Sequence, residues 1–326
     1  MSRHRIGTDG CGVRTLVSFY GCPLACRYCI NRELLASDPG AKWYEPSELL
    51  SELGRDNYYF LTTGGGVTFS GGEPLLHADF ISEFCSLCDP DWGLAVETSL
   101  NVPLENVAKV AACVDTFIVD VKDVNPATYS AYTGGDLSRV LENLQYLKDE
   151  FVERCGHEVI LRVPLIPGYN TRDDVMKAVE FLMDRYHGVF GIDLPTYVTS
   201  KDDAPVPDGK RICRILKAIR AGLIRDNALG IVQPVCTHRG NCPGTCPVCD
   251  AELDAINRKA ADAGEDFNYY RTMAEIEDRY ARALSFEPGI ASNRTELMGM
   301  PQDPRTLMGD VCLPEFDKRT PDDENL

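Results

Sequence analysis

The sequence predicts an α/β fold: a partial (β/α)6 TIM-like barrel with a small C-terminal cysteine-rich, helical metal-binding extension. Three observations predict it. Six short β-rich runs alternate with longer helix-compatible segments between about residues 13 and 197. Residues able to do chemistry fall where those runs end, as they do in β/α barrels. Once the alternation stops, a Pro/Gly-rich stretch gathers four cysteines within fourteen residues. With 326 residues, 44% of them hydrophobic, the chain can bury a large core.

In order, the runs are VRTLVSFY (13–20), VTFSG (67–71), GLAVETS (93–99), DTFIVDVK (115–122), HEVILRVPLI (157–166) and VFGIDLPTY (189–197). Between them lie amphipathic stretches such as ADFISEFCSLC and TRDDVMKAVEFLMDRY. Near-continuous apolar runs separated by such helices predict parallel strands buried on both faces and joined by right-handed crossovers. Cys22, Gly71, Thr98, Lys122 and Pro164 then sit at strand ends. Residues 1–226 read as the barrel domain. Residues 227–290 read as the extension, with QPVCTHRGNCPGTCPVCD followed by helices near 251–263 and 267–286. Residues 291–326 read as an extended or disordered tail, which carries the imperfect repeat RTELMGMPQDP, RTLMGDVCLP.

A net charge of −17 argues against a nucleic-acid groove, which needs clustered Lys and Arg. A small molecule or a protein is the expected partner. There is no apolar run of eighteen residues, and MSRHRIGTDG lacks the apolar core of a signal peptide. The expected location is the cytoplasm, with no membrane contact and no disulfides. Seven of the fourteen cysteines fall in two tight groups, 22–29 and 236–249, so metal binding is the natural reading.

Cys22-Pro-Leu-Ala-Cys26-Arg-Tyr-Cys29 follows directly on a strand. Three thiolates in eight residues can hold three corners of a [4Fe-4S] cube and leave the fourth iron open. A zinc knuckle would want a fourth ligand, and the closest spare thiol is Cys11. Gly71-Gly72-Glu73-Pro74 ends the next strand, where two glycines allow close backbone approach and the proline stiffens the turn. Glu97-Thr98 and Asp120-Val121-Lys122 end neighbouring strands, so their side chains can converge on one pocket. Arg162, in ILRVP, offers a guanidinium fork suited to a carboxylate, to ribose hydroxyls or to a structural salt bridge. Cys236, Cys242, Cys246 and Cys249 form one compact loop with Pro243 and Pro247, suited to an auxiliary [4Fe-4S] cluster or to structural zinc, with His238 able to replace one ligand. Cys85, Cys88, Cys113, Cys155 and Cys213 read as packing residues.

The C-x3-C-x2-C spacing with aromatic Tyr28 before the last cysteine resembles the signature of radical S-adenosylmethionine enzymes. More closely, DGCGVRTLVSFYGCPLACRYCIN, GGGVTFSGGEPLL, DTFIVDVKDVNPATYSAYTGG and ILRVPLIPGYN resemble, in order, blocks of the pyruvate formate-lyase activating enzyme and related glycyl-radical-enzyme activases, over roughly residues 7–185. The resemblance implies a cluster on Cys22, Cys26 and Cys29 that reductively cleaves S-adenosylmethionine to a 5′-deoxyadenosyl radical. That radical takes hydrogen from a backbone glycine of a partner protein, and a flavodoxin- or ferredoxin-type protein supplies the electron. It also implies cofactor contacts from Tyr28, Asn31, Gly71, Gly72, Glu73, Pro74, Glu97, Thr98, Asp120, Lys122 and Arg162, and places Asp9 near the mouth for the substrate peptide. The chain departs from the family in three places. Glu97 stands where activases carry aspartate, Ile30 where they carry histidine, and DLPTYVTS where they carry Pro-Tyr-His. A C-terminal cluster domain is familiar instead from radical enzymes that modify small ribosomal peptides, so a peptide epimerase or crosslinking maturase is the alternative expectation.

Overall fold

The structure is a computed structural model and describes residues 1–6, 9–35, 41–186, 191–193, 209–234 and 246–269. Seven strands lie in chain order across one sheet: β1 (Ser2–Ile6), β2 (Val13–Phe19), β3 (Gly66–Gly71), β4 (Gly93–Thr98), β5 (Thr116–Asp120), β6 (Glu158–Arg162) and β7 (Gly191–Asp193). β2 to β7 pair in parallel and correspond to the six predicted runs. The antiparallel edge strand β1 was not predicted, because SRHRI has no apolar run to mark it.

One face of the sheet packs into the apolar core, while the other mixes apolar Ala95 and Ile118 with polar groups. Val67, Phe69, Leu94, Val96, Phe117, Val119, Val159 and Leu161 enter the main core with the helices. Because side chains alternate along a strand, the intervening residues Ser18, Thr68, Ser70, Glu97, Asp120 and Arg162 line the other face. Thr68, Ser70, Ala95 and Ile118 on that face are buried too, so the strands are buried on both faces as expected. The register sets Asp120 beside Arg162, and the inner face carries charge. A sheet with helices on one side and polar groups on the other is the wall of an open barrel, with the interior kept for chemistry.

The helices follow local signals. α1 (Pro46–Leu53) starts with a capping box between Glu45 and Glu48, and α2 (Asn57–Thr63) ends on left-handed Gly64. α3 (Ala78–Leu87) and α4 (Leu104–Ala111) cover β3 and β4. α5 (Pro126–Thr133) begins with Asn125 accepting from the Ala127 and Thr128 N–H groups, and ends at left-handed Gly134. α6 (Leu137–Tyr146) is capped by Asp136 and runs on through a π-helical turn, Leu147–Val152. α7 (Arg172–Tyr186) leads to β7.

α8 (Gly209–Asp226) and α9 (Pro247–Ala263) form a second core. Leu216, Ile219 and Leu223 meet Leu253, Ile256 and Ala260, and this cluster includes Val13 and Tyr59. The helix expected at 251–263 therefore exists and begins four residues earlier. Of the helix expected at 267–286 only residues 267–269 are described, and these are not helical; the tail, Cys236, His238 and Cys242 lie outside the described residues. Among the described residues no helix is long and apolar enough to cross a membrane.

A buried polar staple fastens this layer to the barrel. The Asp56 carboxylate accepts from Arg3 at 2.6 and 2.9 Å, from His4 Nε2 at 3.0 Å and from the Thr15 hydroxyl at 3.1 Å, while Arg3 also reaches Asp250 of α9 at 3.3 Å. Burial opposes ionisation of Asp56, but the hydrogen bonds from Arg3 and His4 outweigh it and hold its pKa well below the usual carboxylate range. A depressed folded-state pKa contributes stability that is complete above the unfolded value near pH 4 and is lost as pH falls through the folded value. Asp56→Ala, which leaves His4 and Arg3 without their anion, is expected to cost about 3 kcal/mol at neutral pH in urea unfolding. The Tm of the variant should also fall less steeply than the wild type's between about pH 5 and pH 2.

Candidate functional site

The cysteine loop leaves β2 at Phe19 and is pinned along its length. Gly21 N–H donates to Leu34 O at 2.7 Å, Ala25 N–H to Thr133 O at 2.8 Å and Arg27 N–H to Tyr132 O at 3.3 Å, with Leu24 buried between. The loop therefore rests on the end of α5. Cys22, Cys26 and Cys29 are half-buried free thiols. Burial, aided by Glu73 and the two neighbouring thiols, pushes the Cys22 thiol up to about 11. Burial also raises the Cys26 thiol, while the Lys122 ammonium pulls it down, so the charged ends of β5 face this loop.

The GGEP turn is built against the loop's backbone. Gly72 N–H donates to Phe19 O at 2.9 Å and Glu73 N–H to Gly21 O at 2.7 Å. A Cβ on Gly72 would stand 2.1 Å from Gly21 O, and one on Gly71 (φ +111°) 2.4 Å from Phe19 N. Both glycines thus serve a close approach of two protein segments. Asn31 Nδ2 donates to Gly71 O at 3.3 Å, tying the far end of the loop to the same turn. Gly72→Ala is expected to cost about 1–3 kcal/mol in urea unfolding. It should also lower the iron retained by reconstituted protein.

Glu73 is fully buried and its carboxylate is fully engaged. It accepts from Thr98 Oγ1 at 2.6 Å, Ser99 Oγ at 2.6 Å, Ser99 N at 2.9 Å and Leu75 N at 3.3 Å. Thr98 in turn accepts from Leu100 N at 2.9 Å. The side chains of Glu73 and Thr98 bind one another and join the ends of β3 and β4. Burial raises the Glu73 pKa against the pull of these donors. Ser99 went unnoticed in the sequence, although it directly follows the Glu97-Thr98 pair.

On the inner face Glu97 forms an ion pair with Arg162 and accepts from Ser70 Oγ at 2.6 Å. Asp120 accepts from Lys122 Nζ at 2.8 Å. Burial raises the Glu97 pKa, with Arg162 opposing it and Asp120 and Asp9 adding to it. Burial also acts on Asp120, but Lys122 and Arg162 together bring its pKa down. Arg162 thus makes the salt bridge that was one of its sequence-level readings. Asp9, buried beneath, takes a bidentate contact from Arg5 at 2.5 and 3.2 Å. Above, the Tyr28 ring lies 6.2 Å from the Tyr132 and Tyr169 rings, which are 4.9 Å apart. Tyr132 and Tyr169, also missed in the sequence, link the cysteine loop to α5 and to the loop after β6.

Away from this site, Cys246 is the N-cap residue of α9, and its side chain makes no capping hydrogen bond. Burial raises the Cys249 thiol, with Cys246 and Cys213 of α8 adding to it and Arg220 opposing. Arg220, 1% exposed, donates to Cys249 Sγ at 3.5 Å and to Tyr59 Oη at 2.6 Å. Cys85, Cys88 and Cys113 pack against the main core as expected, but Cys155 is exposed, which corrects its core assignment. Among the described residues no three His, Cys, Asp or Glu side chains converge on a single metal ion.

The sequence of the protein-family model described as the radical SAM superfamily matches residues 16–182, which spans the cysteine loop, GGEP and the inner-face acids. The chain belongs to the radical SAM superfamily. Relatives point to one branch of it. The pyruvate formate-lyase 2-activating enzyme of Escherichia coli is 32% identical over 54% of this chain and 69% of its own. The choline trimethylamine-lyase activating enzyme of Oleidesulfovibrio alaskensis is 30% identical over 58% and 79%. The indoleacetate decarboxylase activating enzyme of Tractidigestivibacter scatoligenes is 34% identical over 39% of each chain, so this chain spans well under half of that relative. The radical SAM family implies a [4Fe-4S] cluster and S-adenosylmethionine. The donor set fits the cluster: three free thiols on one anchored loop, beside a lumen of paired charges.

Proposed function

We propose that this radical SAM enzyme reductively cleaves S-adenosylmethionine and activates a partner glycyl-radical enzyme by removing hydrogen from a backbone glycine. The reading is carried by one juxtaposition: the three-thiol loop stands at the end of the sheet where a polar, charge-paired interior opens. Cys22, Cys26 and Cys29 hold the cluster and leave one iron for the cofactor. When bound, the cluster and cofactor supply an electron and a carbon-centred radical able to remove a hydrogen atom. The rest falls to the chain. Backbone groups of Gly71–Pro74 bind the methionine amino and carboxylate groups, held in place by Asn31, Glu73 and Thr98. Tyr28, with Tyr132 and Tyr169 behind it, screens the cofactor from water. Glu97, Asp120, Lys122 and Arg162, paired with one another, offer a neutral lining that suits an uncharged peptide backbone. The thiols Cys236, Cys242, Cys246 and Cys249 hold an auxiliary cluster or zinc, and a flavodoxin- or ferredoxin-type donor supplies the electron in the cytoplasm.

The test is electron paramagnetic resonance of a candidate glycyl-radical enzyme incubated anaerobically with the reduced protein and S-adenosylmethionine. A persistent glycyl doublet is expected. No doublet, with a mass or stereochemical change in a small peptide instead, would replace this reading with peptide maturation.

A further inference from the structure

The loop that joins β4 to α4, residues 99–103, is held in a conformation its sequence does not favour. Leu100 has φ +55°, in the left-handed region that a branched side chain rarely adopts. Its side chain is fully buried in the main core, so the strain is kept by the surrounding structure.

The hold comes from α6. Asn143, 1% exposed, donates from its side-chain nitrogen to Leu100 O at 2.8 Å and to Val102 O at 2.9 Å. That nitrogen carries two N–H bonds, so one residue satisfies two carbonyls of the loop. Asn101, between them, donates to Tyr129 Oη of α5 at 3.1 Å and to the carbonyl of Asp136, the N-cap of α6, at 2.6 Å. The loop is thus clamped to both helices.

Just before the clamp stands the residue that reaches the candidate site. Ser99 donates its N–H at 2.9 Å and its hydroxyl at 2.6 Å to the same oxygen, Glu73 Oε2. A chain fixed at Leu100 on one side and at the end of β4 on the other leaves Ser99 little freedom, so the two donors stay converged. Glu73 N–H in turn donates to Gly21 O at 2.7 Å. A continuous path therefore leads from Asn143 through Leu100 and Ser99 to the GGEP turn and on to the cysteine loop.

We infer that Asn143 is a positioning residue for S-adenosylmethionine, acting through Leu100 and Ser99 on Glu73 to preset the backbone of the GGEP turn. This rests on the reading that the turn binds the methionine end of the cofactor, and the experiments separate the two. The first needs no cofactor. Amide hydrogen exchange is followed in the full-length chain as wild type, N143L, S99A and, as control, E142A on an exposed position of α6. N143L and S99A should speed exchange of the Gly72 and Glu73 amides at least about tenfold while β6 stays protected, with E142A unchanged. A purely local role for Asn143 would speed exchange only in α6 and residues 100–102.

The second experiment measures cofactor affinity per loaded cluster by equilibrium dialysis, with kcat and KM for 5′-deoxyadenosine formation. N143L and S99A should each weaken binding about tenfold and raise KM to match, with kcat within about twofold. S99T, which keeps the hydroxyl, should bind as wild type does. Because the residues act in series, S99A/N143L should bind no more than about twofold worse than the weaker single variant. The wild type supplies a check that needs no variant: by linkage, cofactor binding should slow exchange of the Leu100 and Asn101 amides. Wild-type exchange at Gly72 and Glu73 in N143L, unchanged affinity, additive losses, or no slowing in the wild type would each overturn the role of Asn143. If loaded, reduced wild type neither binds nor cleaves the cofactor, the proposed function falls and this role falls with it.

Discussion

Cys26→Ala is expected to abolish the formation of 5′-deoxyadenosine, a loss of at least about a thousandfold, and to remove about four irons per chain relative to wild type. Cys26 has the largest expected effect because of its place in the fold. It lies between two backbone hydrogen bonds, Ala25 to Thr133 and Arg27 to Tyr132, so its sulfur is held on the α5 side of the loop beside Lys122. Cys155→Ala, on an exposed residue, should leave both readings at wild-type level. Iron analysis and chromatography of the nucleoside product check the prediction directly.

The second large effect is expected at Arg162. Its guanidinium is the cation that Glu97 and Asp120 share in the barrel interior. Arg162→Met should destabilise the protein by about 3–5 kcal/mol, the range for breaking a buried pair while leaving its partner. Burial already raises the Glu97 pKa, so removal of Arg162 should raise it further. Pairing the change with Glu97→Gln should recover part of the loss, because the stranded charge is gone. A double-mutant cycle by urea unfolding measures the recovery. An additive double mutant would show that the pair is not coupled. Catalysis should stay low in both, since the interior no longer has its charge pattern.

What the sequence revealed followed from short-range physics. The six parallel strands were visible because GVTFSG, GLAVET and TFIVD are short and apolar between amphipathic helices, and the cysteine loop was visible because its three thiols lie within one turn of chain. The polar inner face was harder to see. Glu97, Asp120 and Arg162 stand at strand ends, and only the register sets them against one another across three strands. The directions of the Glu73 and Thr98 side chains were not legible because a motif names residues but not directions: Thr98 turns to the Glu73 carboxylate, which also accepts from Ser99 and Leu75 inside the scaffold. β1 was missed because its pairing is with β2 by backbone, while its side chains Arg3 and His4 serve the Asp56 staple.

The central claim is that Cys22, Cys26 and Cys29 begin radical chemistry on S-adenosylmethionine. Its most direct test is an anaerobic incubation of iron-loaded, dithionite-reduced wild-type protein with S-adenosylmethionine, followed by quantitation of both products. Methionine and 5′-deoxyadenosine released in equal amounts is the predicted result. Fully loaded, reduced protein that binds the cofactor and releases neither would contradict the account.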